Sequence, residues 1–249
     1  TNSFSMESLI NKTARIGGIL YLLIIIAGVL GGMVRSQLVL PDDLTATAKN
    51  LLASESLWRA SIAGDLIMHI CDIPLILILY ILLRPVNRNL ALLAVLFNVV
   101  QTIVLVVNKL NLVTALFPLG GALYLNAFQP QQLHVMAYLA IKAHGYGLGV
   151  GLIFFGIECL IVGYLIVRSG YLPKILGILM QVAGLCYLTN SFALLLAPAV
   201  SDVIFPAILI PAFIAELSLA LWLLLKGVNT LKWEERNGLR AYSGFFAGA

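Results

Sequence analysis

The sequence predicts an all-α, polytopic membrane protein with six transmembrane helices. Of its 249 residues, 61% are apolar and only 10% are charged. Soluble domains usually carry about 25% charged residues, so this chain could not cover a water-facing surface. Its sequence instead contains six apolar runs, and each is long enough for a bilayer core that needs about 20 helical residues. We therefore expect one membrane domain over residues 1–249, with lipid as its main solvent.

The apolar runs are separated by segments that interrupt membrane helices. Arg84-Pro85-Val86-Asn87-Arg88 separates the second run from the third, and Arg168 to Lys174 separates the fourth from the fifth. Proline, glycine and charge together favour a turn at such positions. The first run is long for a signal peptide, and no clear cleavage site follows it, so we expect an uncleaved span. The predicted spans are 16–34, 58–83, 89–117, 145–167, 174–196 and 204–225.

The distribution of Lys and Arg predicts the orientation, because cytoplasmic loops carry the excess of these residues. An N-terminus in the cytoplasm also places the C-terminal tail, 226–249, in the cytoplasm. It puts ten basic residues on the inner side and four on the outer side. The ten are Lys12, Arg15, Arg84, Arg88, Arg168, Lys174, Lys226, Lys232, Arg236 and Arg240; the four are Arg35, Lys49, Arg59 and Lys142.

Two segments on the outer side are longer than turns. Residues 41–56 begin with Pro-Asp-Asp, which favours a helix start, and residues 128–143 could form a second helix. We expect two short interfacial helices there, which could be lids over an outward cavity or plain surface connectors. The tail after Trp233 is polar and ends in SGFFAGA, so we expect little order there.

Charge and cysteine content exclude several classes of function. The net charge of +4 comes from basic residues that lie mostly in loops, and no basic run or aromatic platform indicates a nucleic-acid partner. The three cysteines are an odd number and form no CxxC motif, so neither a disulfide framework nor a zinc knuckle is indicated. We expect Cys71, Cys159 and Cys186 to be small core residues.

A group of ionisable residues lies within the predicted spans, where each charge costs at least about 2.5–3.5 kcal/mol. Asp65, His69 and Asp72 are spaced i, i+4 and i+7, so they share one face of the second helix. A rise of about 1.5 Å per residue places Lys109, Glu158 and Glu216 at comparable depth. We expect one buried site, with Asn98 and Gln101 of the third helix beside it. The candidate residues are Asp65, His69, Asp72, Lys109, Glu158 and Glu216.

Three interpretations of this site remain open. Its carboxylates and imidazole could bind and translocate a small solute or a proton, with Asp72 and Glu216 as carriers, His69 as their partner and Lys109 as counter-charge. The same residue types are ligands for Mn, Fe or Zn, so an intramembrane metal-dependent enzyme would use His69, Asp72, Glu158 and Glu216. In the third, Lys109 neutralises Asp65 or Asp72 in a structural network, as in a non-catalytic subunit or scaffold. Expected partners are the lipid bilayer, a solute or proton, and a membrane-protein partner or a second copy.

Several stretches also carry a family resemblance. The segment from Gly163 to Gly177, GYLIVRSGYLPKILG, resembles the pattern GYLIxRSGYLPxxLG of a large bacterial family of membrane proteins of unknown function. Similar pieces are ARIGGILYLL from Ala14, LRPVNRNLA from Leu83 and ELSLALWLL from Glu216. The resemblance implies a multi-pass protein of the bacterial cytoplasmic membrane and implies no activity. Family members often have His at the position of Glu158, which retains a protonatable group and metal ligand.

Overall fold

The computed structural model describes residues 2–41 and 43–238, so Asp42, Arg240 and the SGFFAGA tail lie outside the described residues. Long helices dominate, and no strand occurs within this part of the chain. The helices are α1 (Asn2–Leu38), α2 (Leu44–Ala53), α3 (Glu55–Leu83), α4 (Arg88–Thr114), α5 (Pro130–Ser169), α6 (Lys174–Leu196), α7 (Pro198–Ile204), α8 (Ile210–Leu225) and α9 (Thr230–Arg236). Short 3₁₀ segments lie at Phe117–Leu119, Leu123–Ala127 and Ala207–Leu209.

Six of the described helical segments are long and apolar enough to cross a membrane: Leu9–Leu38, Glu55–Leu83, Arg88–Leu119, Pro130–Ser169, Lys174–Leu196 and Ala207–Leu225. The prediction of an all-α protein with six spans is therefore confirmed. Large apolar side chains such as Ile67, Ile70 and Leu77 are more than half exposed on the outside of the bundle, where lipid would cover them.

Local sequence signals explain where the helices begin and end. The side chain of Asn87 accepts a hydrogen bond from the Leu90 amide and caps α4, and Asp43 caps α2 through the Ala46 amide. Helix α5 begins with a reciprocal capping box between Gln129 and Gln132. It ends at Gly170, whose left-handed backbone (φ 77°) suits a residue without a Cβ.

Two of the predicted elements differ from the structure. A helix does form within 41–56, as α2, but residues 128–143 do not form a separate interfacial helix. Residues 130–143 are instead the beginning of α5, which continues through Gly145 to Ser169 without a break. The polar residues Lys142 and His144 interrupt the apolar run but not the helix, because neither is a helix breaker. The predicted start of the sixth span at 204 also differs, since Ile204 ends α7 and α8 begins at Ile210.

The six spans pack in a closed ring. Contacts join α1 to α3, α3 to α4, α4 to α5, α5 to α6 and α6 to α8, and α8 returns to α1. The backbones of α5 and α6 approach closely at two glycine pairs, Gly163 with Gly177 and Gly156 with Gly184. Small residues permit such contact between membrane helices, because no side chain separates the two backbones.

The two ends of the ring differ in packing and in charge. The basic end, defined by the loops at Arg84–Arg88 and Ser169–Lys174, is filled by fully buried apolar side chains that include Leu82, Leu165 and Leu223. The distal end, defined by α2 and α7, has a smaller apolar cluster around Leu51, Trp58 and Leu112. Polar and ionisable side chains lie between these two apolar regions.

Candidate functional site

A cavity of about 380 Å³ lies inside the ring. All six spans contribute to its wall, and most of its lining residues are apolar. Val29, Leu148 and Phe213 line its side nearest the distal end and are 46%, 38% and 45% exposed. The packed core closes it at the basic end. Its polar lining residues are Tyr21, His69, Asp72, Gln101, Glu158, Tyr187 and Glu216.

Asp72 and Glu158 lie next to each other in the cavity wall, although they come from different helices. The Asn98 side-chain amide donates to Asp72 Oδ2 and to Glu158 Oε2, at 3.1 Å each. Thr102 Oγ1 donates to the same Asp72 oxygen at 2.9 Å. Asn98 is 1% exposed and its Oδ1 has no hydrogen-bond partner. One amide of α4 therefore joins the carboxyl of α3 to that of α5.

Glu216 of α8 faces the same cavity from the opposite part of the ring. The hydroxyl of Tyr187 on α6 donates a short hydrogen bond to Glu216 Oε1, and Tyr21 of α1 is a second hydrogen-bonding neighbour. The ring of Tyr187 also contacts Phe155, with centroids 5.1 Å apart. Glu216 is thus held by neutral phenols, and it interacts electrostatically with Asp72.

His69 lies on α3 between the two acidic residues of that helix. Its side chain lines the cavity, is 3% exposed, and has no hydrogen-bond partner at Nε2. Buried polar atoms without partners are uncommon in native proteins, and they often mark a position that a ligand or water occupies. The His69 ring is part of the cavity wall, and its Nε2 is buried within that wall.

Asp65 and Lys109 form a separate cluster outside the cavity lining. Asp65 Oδ2 accepts from Lys109 Nζ at 2.7 Å and from Arg35 Nη1 at 2.8 Å. This ion-paired cluster of Arg35, Asp65 and Lys109 joins α1, α3 and α4 toward the distal end. The cluster carries one excess positive charge, but both cations are held at Asp65 and neither lines the cavity.

His144 is also buried, but it belongs to a third polar group. The Asn108 amide lies 3.0 Å from His144 Nδ1 and donates to the His144 carbonyl at 2.9 Å. Asn111 in turn donates to Asn108 Oδ1. This group joins α4 to α5 and contributes no lining residue to the cavity among those described.

The structure thus divides the six sequence-derived candidates. His69, Asp72, Glu158 and Glu216 share the cavity, whereas Asp65 and Lys109 pair with each other and with Arg35. Sequence reasoning did not assign a role to Tyr21, Tyr187 or Arg35. Both tyrosines lie in apolar runs. The sequence feature that could have indicated them is a phenol at the same mid-span depth as the ionisable residues.

The four proposed metal ligands do not form a coordination set. Among the described residues, no group of three or more His, Cys, Asp or Glu side chains lies close enough together to hold a metal ion. Asp72 and Glu158 are bridged by an amide, and Glu216 is engaged by phenols. The arrangement is instead suited to hydrogen bonding and to charge interaction with a bound molecule.

The fold and the cavity define a multi-pass helical membrane protein with buried acidic and histidine residues. Residues 16–227 match the family described as Domain of unknown function (DUF4386), and the chain belongs to this family. It is also similar to an uncharacterized protein of Archaeoglobus fulgidus, with 30% identity over 167 residues, which are 67% of this chain and 83% of that protein. No solved structure matches the chain.

Proposed function

We propose that the protein binds a small solute in the central cavity and moves it across the membrane. The observation that carries this proposal is a cavity of about 380 Å³ that all six spans line, with three carboxyls and a histidine among its lining residues. Ligand sites in proteins are mostly apolar, with a few polar groups that orient the ligand. Volumes of about 300–1,000 Å³ are typical of them.

The polar groups lie at the membrane depth expected of a solute-binding site in a transporter. Asp72, Glu158 and Glu216 lie 11, 11 and 9 residues from the ends of their helices at Leu83, Ser169 and Leu225. At about 1.5 Å per residue, this is about 14–17 Å from the basic end, near the middle of a bilayer core about 30 Å thick. Solute sites at mid-membrane depth, at the meeting point of several helices, are common in secondary transporters.

Glycine positions on α1 provide a matched test of solute binding. Gly28 lines the cavity, and a Cβ there would lie 3.4 Å from Met68 Sδ, so Gly28→Leu should fill part of the cavity with little strain. Gly32, one turn further along α1, has nothing within 4 Å of an added Cβ and is not a lining residue. Gly32→Leu is therefore the control for a bulkier α1.

The probes are benzyltrimethylammonium, its neutral isostere neopentylbenzene, and benzylsulfonate, each added to purified protein in lipid nanodiscs with empty nanodiscs as the blank. We expect at least one probe to raise the melting temperature of the wild type, with the shift lost in Gly28→Leu and retained in Gly32→Leu. The proposal fails if no probe binds, or if Gly28→Leu binds every probe as the wild type does.

Movement across the membrane requires the basic end to open. That end is closed by packed leucines and by α9, whose Trp233 donates from Nε1 to the Leu82 carbonyl at 3.0 Å. Proteoliposomes test this step, because a bound probe that is also transported should accumulate with time and a probe that is only bound should not. Asp72→Asn and Glu216→Gln should reduce both binding and uptake if these carboxyls contact the solute.

We also propose that the basic end faces the cytoplasm in a cytoplasmic membrane, because the Lys and Arg residues concentrate there. Asn89 and Ser56 are exposed near the basic and distal ends. In a variant without native cysteines, a membrane-impermeant maleimide should label Ser56→Cys in intact bacterial cells and Asn89→Cys only after lysis. The opposite labelling pattern would reverse the orientation.

A further inference from the structure

We propose that the solute is an organic cation with an apolar body, held by the carboxyls of Asp72, Glu158 and Glu216. This inference rests on the proposed solute-binding function and names the class of solute. Its first support is a charge imbalance. Three carboxyls line the cavity, and none of its described lining residues is Lys or Arg.

Nearby cations do not correct this imbalance. Lys109 and Arg35 both bind Asp65 Oδ2, at 2.7 and 2.8 Å, and neither lines the cavity. Charged groups in protein interiors are normally paired, because an isolated buried charge is very unfavourable. The groups that form hydrogen bonds with the cavity carboxyls are neutral side chains: Asn98, Thr102, Tyr187 and Tyr21. A bound cation would supply the missing positive charge.

Aromatic rings supply a second, independent contribution. Tyr21, Phe155, Tyr187 and Phe213 line the cavity from α1, α5, α6 and α8. Aromatic faces attract cations, and sets of such rings recognise quaternary ammonium groups. The rest of the wall is aliphatic, including Ile24, Leu75 and Leu152, and would accommodate an apolar body.

His69 adds a polar side chain to the cavity wall. The side chain is buried, lines the cavity and has no partner for Nε2. A rotation of the ring that exposes Nε2 to the cavity, with the imidazole proton on Nδ1, would let this nitrogen accept a hydrogen bond from an ammonium N–H or a hydroxyl of the solute.

The decisive comparison is between benzyltrimethylammonium and neopentylbenzene, which have the same shape and differ by one fixed positive charge. In lipid nanodiscs, at equal free concentrations, we expect the cation to bind the wild type at least about tenfold more tightly, because buried carboxylates pair with it. Benzylsulfonate, which carries the opposite charge, should bind most weakly. Equal or tighter binding of neopentylbenzene would overturn the inference.

Substitutions separate this inference from the function on which it rests. Glu216→Gln preserves size and hydrogen bonding but removes charge, so it should weaken binding of benzyltrimethylammonium about tenfold and leave neopentylbenzene unchanged. Gly28→Leu should weaken binding of both. Loss of both probes in Gly28→Leu, together with no selective loss in Glu216→Gln, would retain the solute site and reject a cation as its occupant.

A control is needed that removes one negative charge outside the cavity. A conservative change at Asp202, which is exposed in α7 and absent from the cavity lining, provides the control for loss of one negative charge. Asp202→Asn should bind both probes as the wild type does. If Asp202→Asn weakens cation binding as much as Glu216→Gln, the effect comes from overall charge and the inference is rejected.

Discussion

Lys109 Nζ lies 2.7 Å from Asp65 Oδ2, and both side chains are almost fully buried. Arg35 binds the same oxygen from α1, so one carboxylate of α3 holds cations from two neighbouring helices. Removing one partner of a buried ion pair is strongly destabilising, because the remaining charge is left without compensation. The cluster therefore stabilises the distal half of the ring, and its removal should be measurable.

Asp65→Asn should lower the free energy of unfolding by about 3–5 kcal/mol, since Lys109 would remain buried without an anion. The double variant Asp65→Asn with Lys109→Met should recover much of this loss, because the buried ammonium is removed as well and only Arg35, which is 21% exposed, is left without its anion. Unfolding of the purified variants in detergent provides the measurement. Glu55→Gln is the control: it breaks a largely exposed pair with Arg59, and should change stability by less than about 0.5 kcal/mol. Equal effects of Asp65→Asn and Glu55→Gln would contradict the prediction.

The membrane architecture could be predicted closely from the sequence, because the residues that end a helix and the length of each apolar run are local features of the chain. The predicted span 174–196 coincides with α6, and 89–117 differs little from α4. Helix length was less predictable where polar residues continue a helix beyond its apolar part. Helix α1 extends over Asn2–Leu38 and α5 over Pro130–Ser169, well beyond the apolar runs that identified them.

The composition of the cavity was only partly predictable. Spacing placed Asp65 and Asp72 on one helical face, but seven residues separate them by about 10 Å along the axis, which is enough for two distinct clusters. The choice of Asp65 over Asp72 as the partner of Lys109 depends on how α3 and α4 are rotated and offset. Tyr187 meets Glu216 for a similar reason, since α6 and α8 become neighbours only when the ring closes.

Thr102 should contribute to stability through its bond to Asp72. Thr102→Val keeps the shape of the side chain but removes the hydroxyl that donates to Asp72 Oδ2 at 2.9 Å. We expect a loss of about 1–3 kcal/mol, because a buried acceptor loses one of its donors. Thr13→Val removes a hydroxyl that bonds only to its own helix at an exposed position, and should be nearly neutral. Similar melting temperatures for the two variants would show that the Thr102 bond contributes little.

The contact between Gly163 and Gly177 should tolerate no added methyl group. A Cβ on Gly163 would lie 2.5 Å from the Gly177 carbonyl oxygen, so Gly163→Ala must separate α5 from α6. We expect destabilisation by about 1–3 kcal/mol, as for other overpacked interiors. Gly145→Ala lies on the same helix with nothing within 4 Å, and should be neutral or stabilising by up to about 1 kcal/mol. Thermal unfolding of the two variants in one detergent compares them, and a stable Gly163→Ala would indicate a looser interface.

Tyr171 stabilises the basic end of the protein, and this contribution should be lost at alkaline pH. The residue lies in the turn between α5 and α6, is 4% exposed, and donates to the Leu82 carbonyl at 2.6 Å. Burial raises the pKa of Tyr171 above its ordinary value of about 10, and Arg236 opposes this shift only in part. The folded protein therefore keeps the phenol protonated at pH values where the unfolded chain would ionise it.

The sign of the pH dependence follows from this difference. The contribution of Tyr171 is fully present below about pH 10 and is lost as pH rises toward the folded-state pKa, by up to about 1.4 kcal/mol per pH unit. Tyr171→Phe should be less stable than the wild type at neutral pH by about 0.5–1.5 kcal/mol, since it lacks the hydrogen bond. Between pH 10 and 12 the difference between the two proteins should narrow. Tyr164→Phe, at a 44% exposed side chain, should change the profile much less. Parallel stability curves for the wild type and Tyr171→Phe would show that ionisation of this phenol is not coupled to unfolding.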